Sequence, residues 1–233
     1  SNGKFYSLRL ADGIPNWITD GLNGYIESRP ATDSERVYTG TWGAMFYAMD
    51  RKSGEKIWEF NTGRGRYFSP GACWPVVLPY EKEGNLSEQV VVISSDYFRT
   101  RFHPPKNGKI LWASDEAKGR ESLGFSPDGK TMYVKGIRNN ITAADISKGS
   151  YIPLWNTQMP YESNFIPTRM ETTEEYVFIP TEFGVVHAVR TDGSGIAWSH
   201  KVSHSAVTSL KNAGDRRLIV MTMDGTVTCL TYP

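Results

Sequence analysis

Five of the seven tryptophans set the organisation of this chain. They stand at Trp17, Trp58, Trp112, Trp155 and Trp198, and the successive spacings are 41, 54, 43 and 43 residues. A spacing in the low forties suits four short strands with their turns, which together make one blade of a β-propeller. The repeat therefore predicts an all-β fold of four-stranded antiparallel blades, with one tryptophan as the structural motif of each blade.

The sequence before each tryptophan indicates a β-hairpin. Gly54 precedes Trp58 by four residues, and Gly13 precedes Trp17 by the same distance. A glycine with positive φ closes the turn, and the next strand carries the indole, which can fill the space between neighbouring blades. A helical fold is excluded because no segment keeps an apolar period of about 3.6 residues.

Counting strands outwards from the propeller axis predicts four complete blades, at residues 28–60, 70–114, 121–158 and 164–201. The chain begins with a third and a fourth strand (3–17) and ends with a first, a second and a third (206–232). The two ends could combine into a fifth blade, but the third strand would then be supplied twice. We therefore interpret residues 1–233 as a single propeller domain from the C-terminal part of a longer protein, with open sheet edges that favour self-association.

Composition narrows the possible functions. The net charge is +1, so no overall field points to nucleic acid, and no apolar run is long enough to span a membrane. The two cysteines, Cys73 and Cys229, are too few for a disulfide framework or a zinc site, and we expect both to pack as small apolar residues.

The repeat is best preserved over residues 43–58, then over 3–17 and 184–198. It resembles the repeat of the pyrroloquinoline-quinone-like propeller superfamily. Members include quinoprotein alcohol dehydrogenases, the outer-membrane assembly propeller lipoprotein, and bacterial proteins in which the propeller follows a calcineurin-like metallophosphoesterase domain. Residues 24–30, 67–75 and 120–124 look most like the third group.

The resemblance implies no cofactor for this chain. Quinone enzymes of the superfamily typically carry an adjacent Cys-Cys pair and eight blades; the pair is absent from the sequence, and the chain is too short for eight blades. The metal-binding motifs of a phosphoesterase, such as Asp-x-His, are also missing, and His187 reads as a packed strand residue. We therefore expect no catalytic, cofactor-binding or metal-binding residue.

A ligand would bind where propellers usually bind, on the face formed by the connections from fourth to first strand and from second to third strand. Arginines and aromatic residues are concentrated there, a combination that suits anionic or peptide partners. The alternative is that these side chains simply fill a polar channel. The candidate binding residues are Arg64, Arg66, Tyr67, Tyr97, Arg99, Arg101, Arg120, Arg138 and Tyr161.

Three functions remain open at this stage. The favoured one is a non-catalytic module that binds a partner protein or positions an attached catalytic domain. The second is a substrate-contacting part of a serine/threonine-phosphatase-like metallophosphoesterase, and the third is an assembly scaffold of the cell envelope. The resemblance implies a location in the bacterial periplasm or envelope.

Overall fold

The computed structural model describes residues 3–63, 70–71, 74–82, 85–94, 99–103, 106–116, 119–136, 138–160 and 168–233; the side chains of 80–82, 85–94, 99 and 120–122 are not part of that description. Within these ranges every regular element is a β-strand. The chain divides into two compact units, Ser1–Glu116 and Ala117–Pro233.

The first unit contains one two-stranded and two four-stranded antiparallel sheets. Neighbours in sequence pair within each sheet, in the groups β1–β2, β3–β6 and β7–β10. The strands are β1 (Phe5–Leu8), β2 (Pro15–Thr19), β3 (Ala31–Thr32), β4 (Arg36–Gly40), β5 (Met45–Asp50), β6 (Lys56–Asn61), β7 (Val76–Lys82), β8 (Asn85–Ser94), β9 (Arg99–His103) and β10 (Trp112–Ser114).

The second unit contains two four-stranded sheets and one three-stranded sheet, β11–β14, β15–β18 and β19–β21. Its strands are β11 (Gly119–Phe125), β12 (Thr131–Gly136), β13 (Asn140–Asp145), β14 (Ile152–Gln158), β15 (Glu171–Thr172), β16 (Tyr176–Pro180), β17 (Val185–Arg190), β18 (Ile196–Lys201), β19 (Val207–Asn212), β20 (Arg217–Thr222) and β21 (Val227–Thr231).

The predicted strand organisation is confirmed. The four complete blades correspond to sheets over residues 31–61, 76–114, 119–158 and 171–201, and the partial blades to the pair β1–β2 and the triplet β19–β21. Each tryptophan of the repeat lies in the fourth strand of its blade, in β2, β6, β10, β14 and β18. Whether residues 1–233 form a single domain stays a prediction.

The inner strands are buried because their sequences are apolar on both faces. All five residues of β16 are buried, and β12 and β17 are buried at their four central positions. In the second unit β16, β17, β19 and β20 share one core, in which Phe178, Val186, Leu218 and Val220 are fully buried. Burial on both faces fixes how each sheet packs on the next one in its unit, and so holds the connections at the sheet ends in place.

Candidate functional site

In the first unit, the connection between β2 and β3 lies against the turn between β4 and β5. The Trp42 amide donates a hydrogen bond of 2.8 Å to the Tyr25 carbonyl. The Thr41 hydroxyl donates one of 2.5 Å to the Asn23 carbonyl, and the Asn23 amide donates one of 3.0 Å to the Tyr47 hydroxyl. These are the two kinds of connection that the sequence assigned to the binding face.

Glycines allow the two segments to approach at backbone distance. A Cβ on Gly24 (φ +95°) would lie 2.2 Å from the Gly43 nitrogen, and a Cβ on Gly43 would lie 2.2 Å from the Asn23 carbonyl oxygen. Gly71 meets the same turn, since its Cβ would lie 2.6 Å from the Trp42 nitrogen. No larger residue fits without moving backbone, so the surface above this contact is held rigidly.

Four polar or aromatic side chains lie on this rigid contact, which we call the Trp42 surface (residues 23–29 and 41–44). The Trp42 indole N–H donates to Glu27 Oε2 over 2.9 Å, which fixes both side chains. Tyr25 is 63% exposed, and Glu27 and Arg29 are exposed as well. An aromatic pair beside charges of both signs can take an apolar side chain and hydrogen-bond a polypeptide backbone.

The second unit has the same kind of contact between the β16–β17 turn and the β18–β19 connection. The Val202 amide donates to the Gly184 carbonyl over 2.8 Å, and a Cβ on Gly184 would lie 2.1 Å from the Ser203 carbonyl oxygen. Phe183 is 55% exposed beside it. The Ser203 and Thr222 hydroxyls and the Thr226 amide donate to Asp224 and hold the pKa of that carboxyl far below its usual range.

The structure places only part of the predicted site residues. Arg138 is exposed in the β12–β13 turn, as expected for a connection residue. Arg99 and Arg120 belong to β9 and β11, and their side chains lie outside the described part of the chain. The positions that fall wholly outside the described residues are Arg64, Arg66, Tyr67, Tyr97 and Tyr161.

Arg101 does not lie in a connection. It belongs to β9, is 5% exposed, and its guanidinium lies 5.9 Å from the centre of the Phe60 ring. The connection that precedes it is therefore shorter than the sequence suggested, because strand pairing already starts at Arg99. Its burial leaves little of its surface for a ligand.

Sequence reasoning missed Trp42, Tyr25 and Glu27. All three lie in the connections assigned to the binding face, but the sequence pattern pointed to the arginine clusters instead. The missed signal was the pair Gly24 and Gly43, each beside an aromatic residue, which permits two connections to touch and present those side chains.

Two of the described histidines, His103 and His187, serve packing. His103 is fully buried, and its Nδ1 lies 2.8 Å from the Gly108 carbonyl oxygen. His187 is 6% exposed within β17, as predicted, and its Nδ1 lies 2.7 Å from the Ser199 hydroxyl. Within the described ranges no three His, Cys, Asp or Glu side chains are grouped as a metal site would need.

Cys229 departs from expectation. It is a free thiol in β21 and it is exposed, whereas the sequence predicted a packed side chain. The reason is that Leu218, Val220 and Leu230 of this sheet pack into the core shared with β16 and β17, whereas Cys229 alternates with Leu230 and lies on the opposite face. Cys73 lies outside the described residues. In the described part of the chain no helix is long and apolar enough to cross a bilayer.

Comparison with known proteins supports the repeat assignment. BamB from Moraxella catarrhalis is 15% identical, with a TM-score of 0.59, over 99% of this chain and 80% of that chain. The computationally designed Ika8 protein is 14% identical, with a TM-score of 0.73, over 99% of this chain and 66% of that chain. At such identities these matches establish the fold alone, a β-propeller. No curated protein sequence matches the chain.

The sequence comparison identifies the family, whereas the structural comparison identifies only the fold. Residues 1–157 match the family described as outer membrane protein assembly factor BamB. The matched range covers the first hairpin and the three four-stranded sheets up to β14. The chain therefore belongs to the family of the outer membrane protein assembly factor BamB, whose repeats are of the pyrroloquinoline-quinone-like type.

Proposed function

We propose that this chain is a non-catalytic propeller module that binds a polypeptide segment of a partner protein on the Trp42 surface. The observation that carries the proposal is the group formed by exposed Tyr25, half-buried Trp42 and exposed Glu27 on two connections held in backbone contact through Gly24 and Gly43. A site already held in its binding geometry loses little conformational entropy when a partner binds. Tryptophan and tyrosine are also the residues that most often dominate protein interfaces.

The family name supports a protein partner. The relatives are named for the assembly of outer membrane proteins, so their printed role is to act on other proteins. We propose a corresponding scaffold role for this chain in the periplasm or cell envelope of a bacterium. This proposal favours the assembly scaffold among the functions that the sequence left open.

Attachment to a catalytic domain is a second proposal, and it rests on a different observation. Residues 24–30, all but the last of which belong to the Trp42 surface, resemble the matching stretch of propellers that follow a calcineurin-like metallophosphoesterase domain. In such a protein this surface would contact the catalytic domain or its substrate. Metal-binding motifs such as Asp-x-His in the same gene, upstream of Ser1, would support this proposal, and a gene without them would contradict it.

A peptide titration tests the main proposal. The probe is a fluorescent peptide of about ten residues in which apolar and polar residues alternate, as in strands of outer membrane barrels. We expect Trp42→Ala and Tyr25→Ala each to weaken binding at least tenfold, measured by fluorescence anisotropy, because both remove a rigid aromatic contact. Phe183→Ala is the control, since it removes an exposed aromatic residue from the other unit.

Two results would overturn the proposal. One is binding that is unchanged in both Trp42→Ala and Tyr25→Ala while the melting temperature stays the same. The other is hydrolysis of a phosphoester by residues 1–233 alone, which would contradict the non-catalytic assignment.

A further inference from the structure

The Trp42 surface carries an exposed cation, Arg29, beside its aromatic pair. Exposure alternates along the segment that leads to it, since Tyr25, Glu27 and Arg29 are exposed. The residues between them are covered: Ile26 is half-buried and Ser28 is buried. Alternate residues of an extended segment lie on the same side. An aromatic, an acidic and a basic side chain therefore stand in a row on the solvent side of this connection.

The backbone at Arg29 is held on both sides. The Ser28 hydroxyl donates to the Gly40 carbonyl over 3.3 Å and accepts the Gly40 N–H over 3.4 Å. On the other side, Pro30 keeps the residue before it in an extended conformation, and β3 begins directly afterwards at Ala31. A carboxylate that binds Arg29 therefore has only the side chain to order.

The carboxylates of this connection already have partners. Glu27 Oε2 accepts the Trp42 indole N–H over 2.9 Å, and Asp20 lies 3.2 Å from Lys4 Nζ. Within the described ranges no carboxylate lies at ion-pair distance from Arg29. Its guanidinium is therefore available to an acidic group from outside this surface.

The sequence around the Trp42 surface adds positive charge. The connection between β6 and β7 (62–75) reaches this surface through Gly71, whose Cβ would lie 2.6 Å from the Trp42 nitrogen. By sequence that connection contains two arginines and no aspartate or glutamate, and the turn 41–44 contains no charged residue. An excess of positive charge attracts an acidic partner and disfavours a basic one.

We propose that the segment bound on the Trp42 surface is an acidic polypeptide, which places an aspartate or glutamate side chain on Arg29 and an apolar side chain on Tyr25 and Trp42. This rests on the function proposed above and specifies the partner. A guanidinium binds a carboxylate through two parallel hydrogen bonds, which adds specificity as well as affinity.

The spacing on the surface limits the spacing in the partner. The four residues from Tyr25 to Arg29 span at most about 14 Å. In an extended partner, residues two or four positions apart lie on one side and are separated by about 7 or 13 Å. The acidic residue therefore stands two or four positions from the apolar one.

Glu27 favours a polypeptide over a nucleic acid strand, which also binds aromatic and arginine side chains. A nucleic acid brings a phosphate with every nucleotide, and Glu27, between Tyr25 and Arg29 in the row, would repel it. A polypeptide can place one carboxylate on Arg29 and its uncharged backbone beside Glu27, whose Oε1 can accept a backbone N–H.

The test compares three versions of the alternating peptide used above, capped at both ends and labelled. They carry glutamate, glutamine or lysine either two or four positions after a central aromatic residue. In at least one of these two series we expect the whole chain to bind the glutamate peptide at least fivefold more tightly than the glutamine peptide, measured by fluorescence anisotropy. The lysine peptide should bind most weakly.

Variants at Arg29 should change this preference without changing the melting temperature, because the side chain is exposed. Arg29→Gln should abolish the preference for glutamate over glutamine, and Arg29→Lys should keep only part of it, since an ammonium group lacks the two-pronged geometry. Arg29→Glu should bind the lysine peptide more tightly than the glutamate peptide. Arg138→Gln, at an exposed arginine of the β12–β13 turn, is the control and should keep the wild-type preference.

The outcomes separate this inference from the function on which it rests. Unchanged binding in Trp42→Ala and Tyr25→Ala would contradict the proposed function itself. If those variants weaken binding while the three peptides bind equally to the wild-type chain, only the acidic partner is wrong.

Three further results would also overturn the acidic partner. One is binding that requires an uncapped peptide, which would assign Arg29 to a terminal carboxylate. Another is Arg29-dependent binding of a poly-dT strand that is tighter than that of the glutamate peptide. The third is loss of peptide binding when the natural sequence upstream of Ser1 is included, which would show that the same protein covers the surface.

Discussion

Protonation of a single buried residue, His103, makes the stability of this fold depend on pH. Its ring is fully buried and lies 4.8 Å from the centre of the Phe60 ring and 6.1 Å from that of Trp58. The pKa of His103 is lowered to about 4, mainly by burial of the ring and also by the nearby Arg101 charge, against the opposing effect of the hydrogen bond with the Gly108 carbonyl. The imidazole is therefore neutral at pH 7, with its Nδ1–H donated to that carbonyl.

We expect the free energy of unfolding to fall as the pH drops from about 6.5 to about 4. In this window the unfolded chain binds a proton at residue 103 that the folded chain does not, so acid favours unfolding. The free energy of unfolding should be about 2 kcal/mol lower at pH 5 than at pH 7. Urea unfolding at pH 7 and pH 5 measures it.

The variant His103→Asn should reduce this pH dependence because it removes the titrating group and keeps a donor for Gly108. His204→Asn, at an exposed histidine, is the matched control and should leave it unchanged. The explanation fails if His103→Asn shows the full wild-type dependence. A smaller dependence should persist, because burial also lowers the pKa of His187.

Among the elements, the hairpin between third and fourth strands contacts the tryptophan of the preceding sheet. Its glycine has a positive φ at Gly54, Gly108 and Gly193, and in each case the missing side chain is replaced by the indole of the preceding sheet. Glycine is therefore required at these positions for two reasons: the backbone has a positive φ, and the indole needs the space that a side chain would occupy. At Gly214 only the positive φ requires glycine, since a Cβ there would meet nothing within 4 Å.

Gly193→Ala should destabilise the chain more than Gly214→Ala. Both variants place alanine at a similar positive φ, +80° and +77°, which costs about 1 kcal/mol in each. At Gly193 the methyl group also collides with Trp155, so we expect a further loss of about 1–3 kcal/mol. Chemical denaturation of the two variants measures the difference. Equal losses would mean that the indole moves away at little cost.

For the molecule as a whole, charge and exposed apolar surface govern association in solution. The net charge is +1 and the isoelectric point is 7.7, so charge repulsion is weakest near neutral pH. The hairpin β1–β2 exposes Tyr6, Leu8, Leu10, Ile14 and Ile18, by 41% to 107%. Its opposite face is packed, with Trp17 buried.

Solubility should therefore be lowest near pH 7.7 and should rise when the apolar surface is reduced. Leu10→Glu and Leu10→Lys should both raise it, because each removes the most exposed apolar side chain of the hairpin. The two variants change the net charge in opposite directions. If only one of them raised solubility, charge alone would explain the effect. Precipitation with ammonium sulfate or polyethylene glycol at several pH values gives the measurement.

The repeat determined the fold class and the strand count before any coordinates. Apolar strands, turn glycines and one tryptophan per blade are local features that recur, so they predict where strands begin and pair. The two-stranded start and the three-stranded end followed from the same counting. The same local features correctly predicted that His187 lies in a strand. They did not predict that Arg101 lies in a strand.

Contacts between residues far apart in sequence were decided by the tertiary structure alone. The Trp42 surface arises because two connections approach at backbone distance, and Cys229 is exposed because it lies on the face of β19–β21 that does not pack into the core shared with β16 and β17. Likewise, Trp198 matches the other repeat tryptophans in sequence, but unlike Trp17 and Trp155 its indole N–H has no acceptor among the described residues. The physical reason is that local sequence sets strands and turns, whereas exposure and hydrogen-bond satisfaction depend on which element packs alongside.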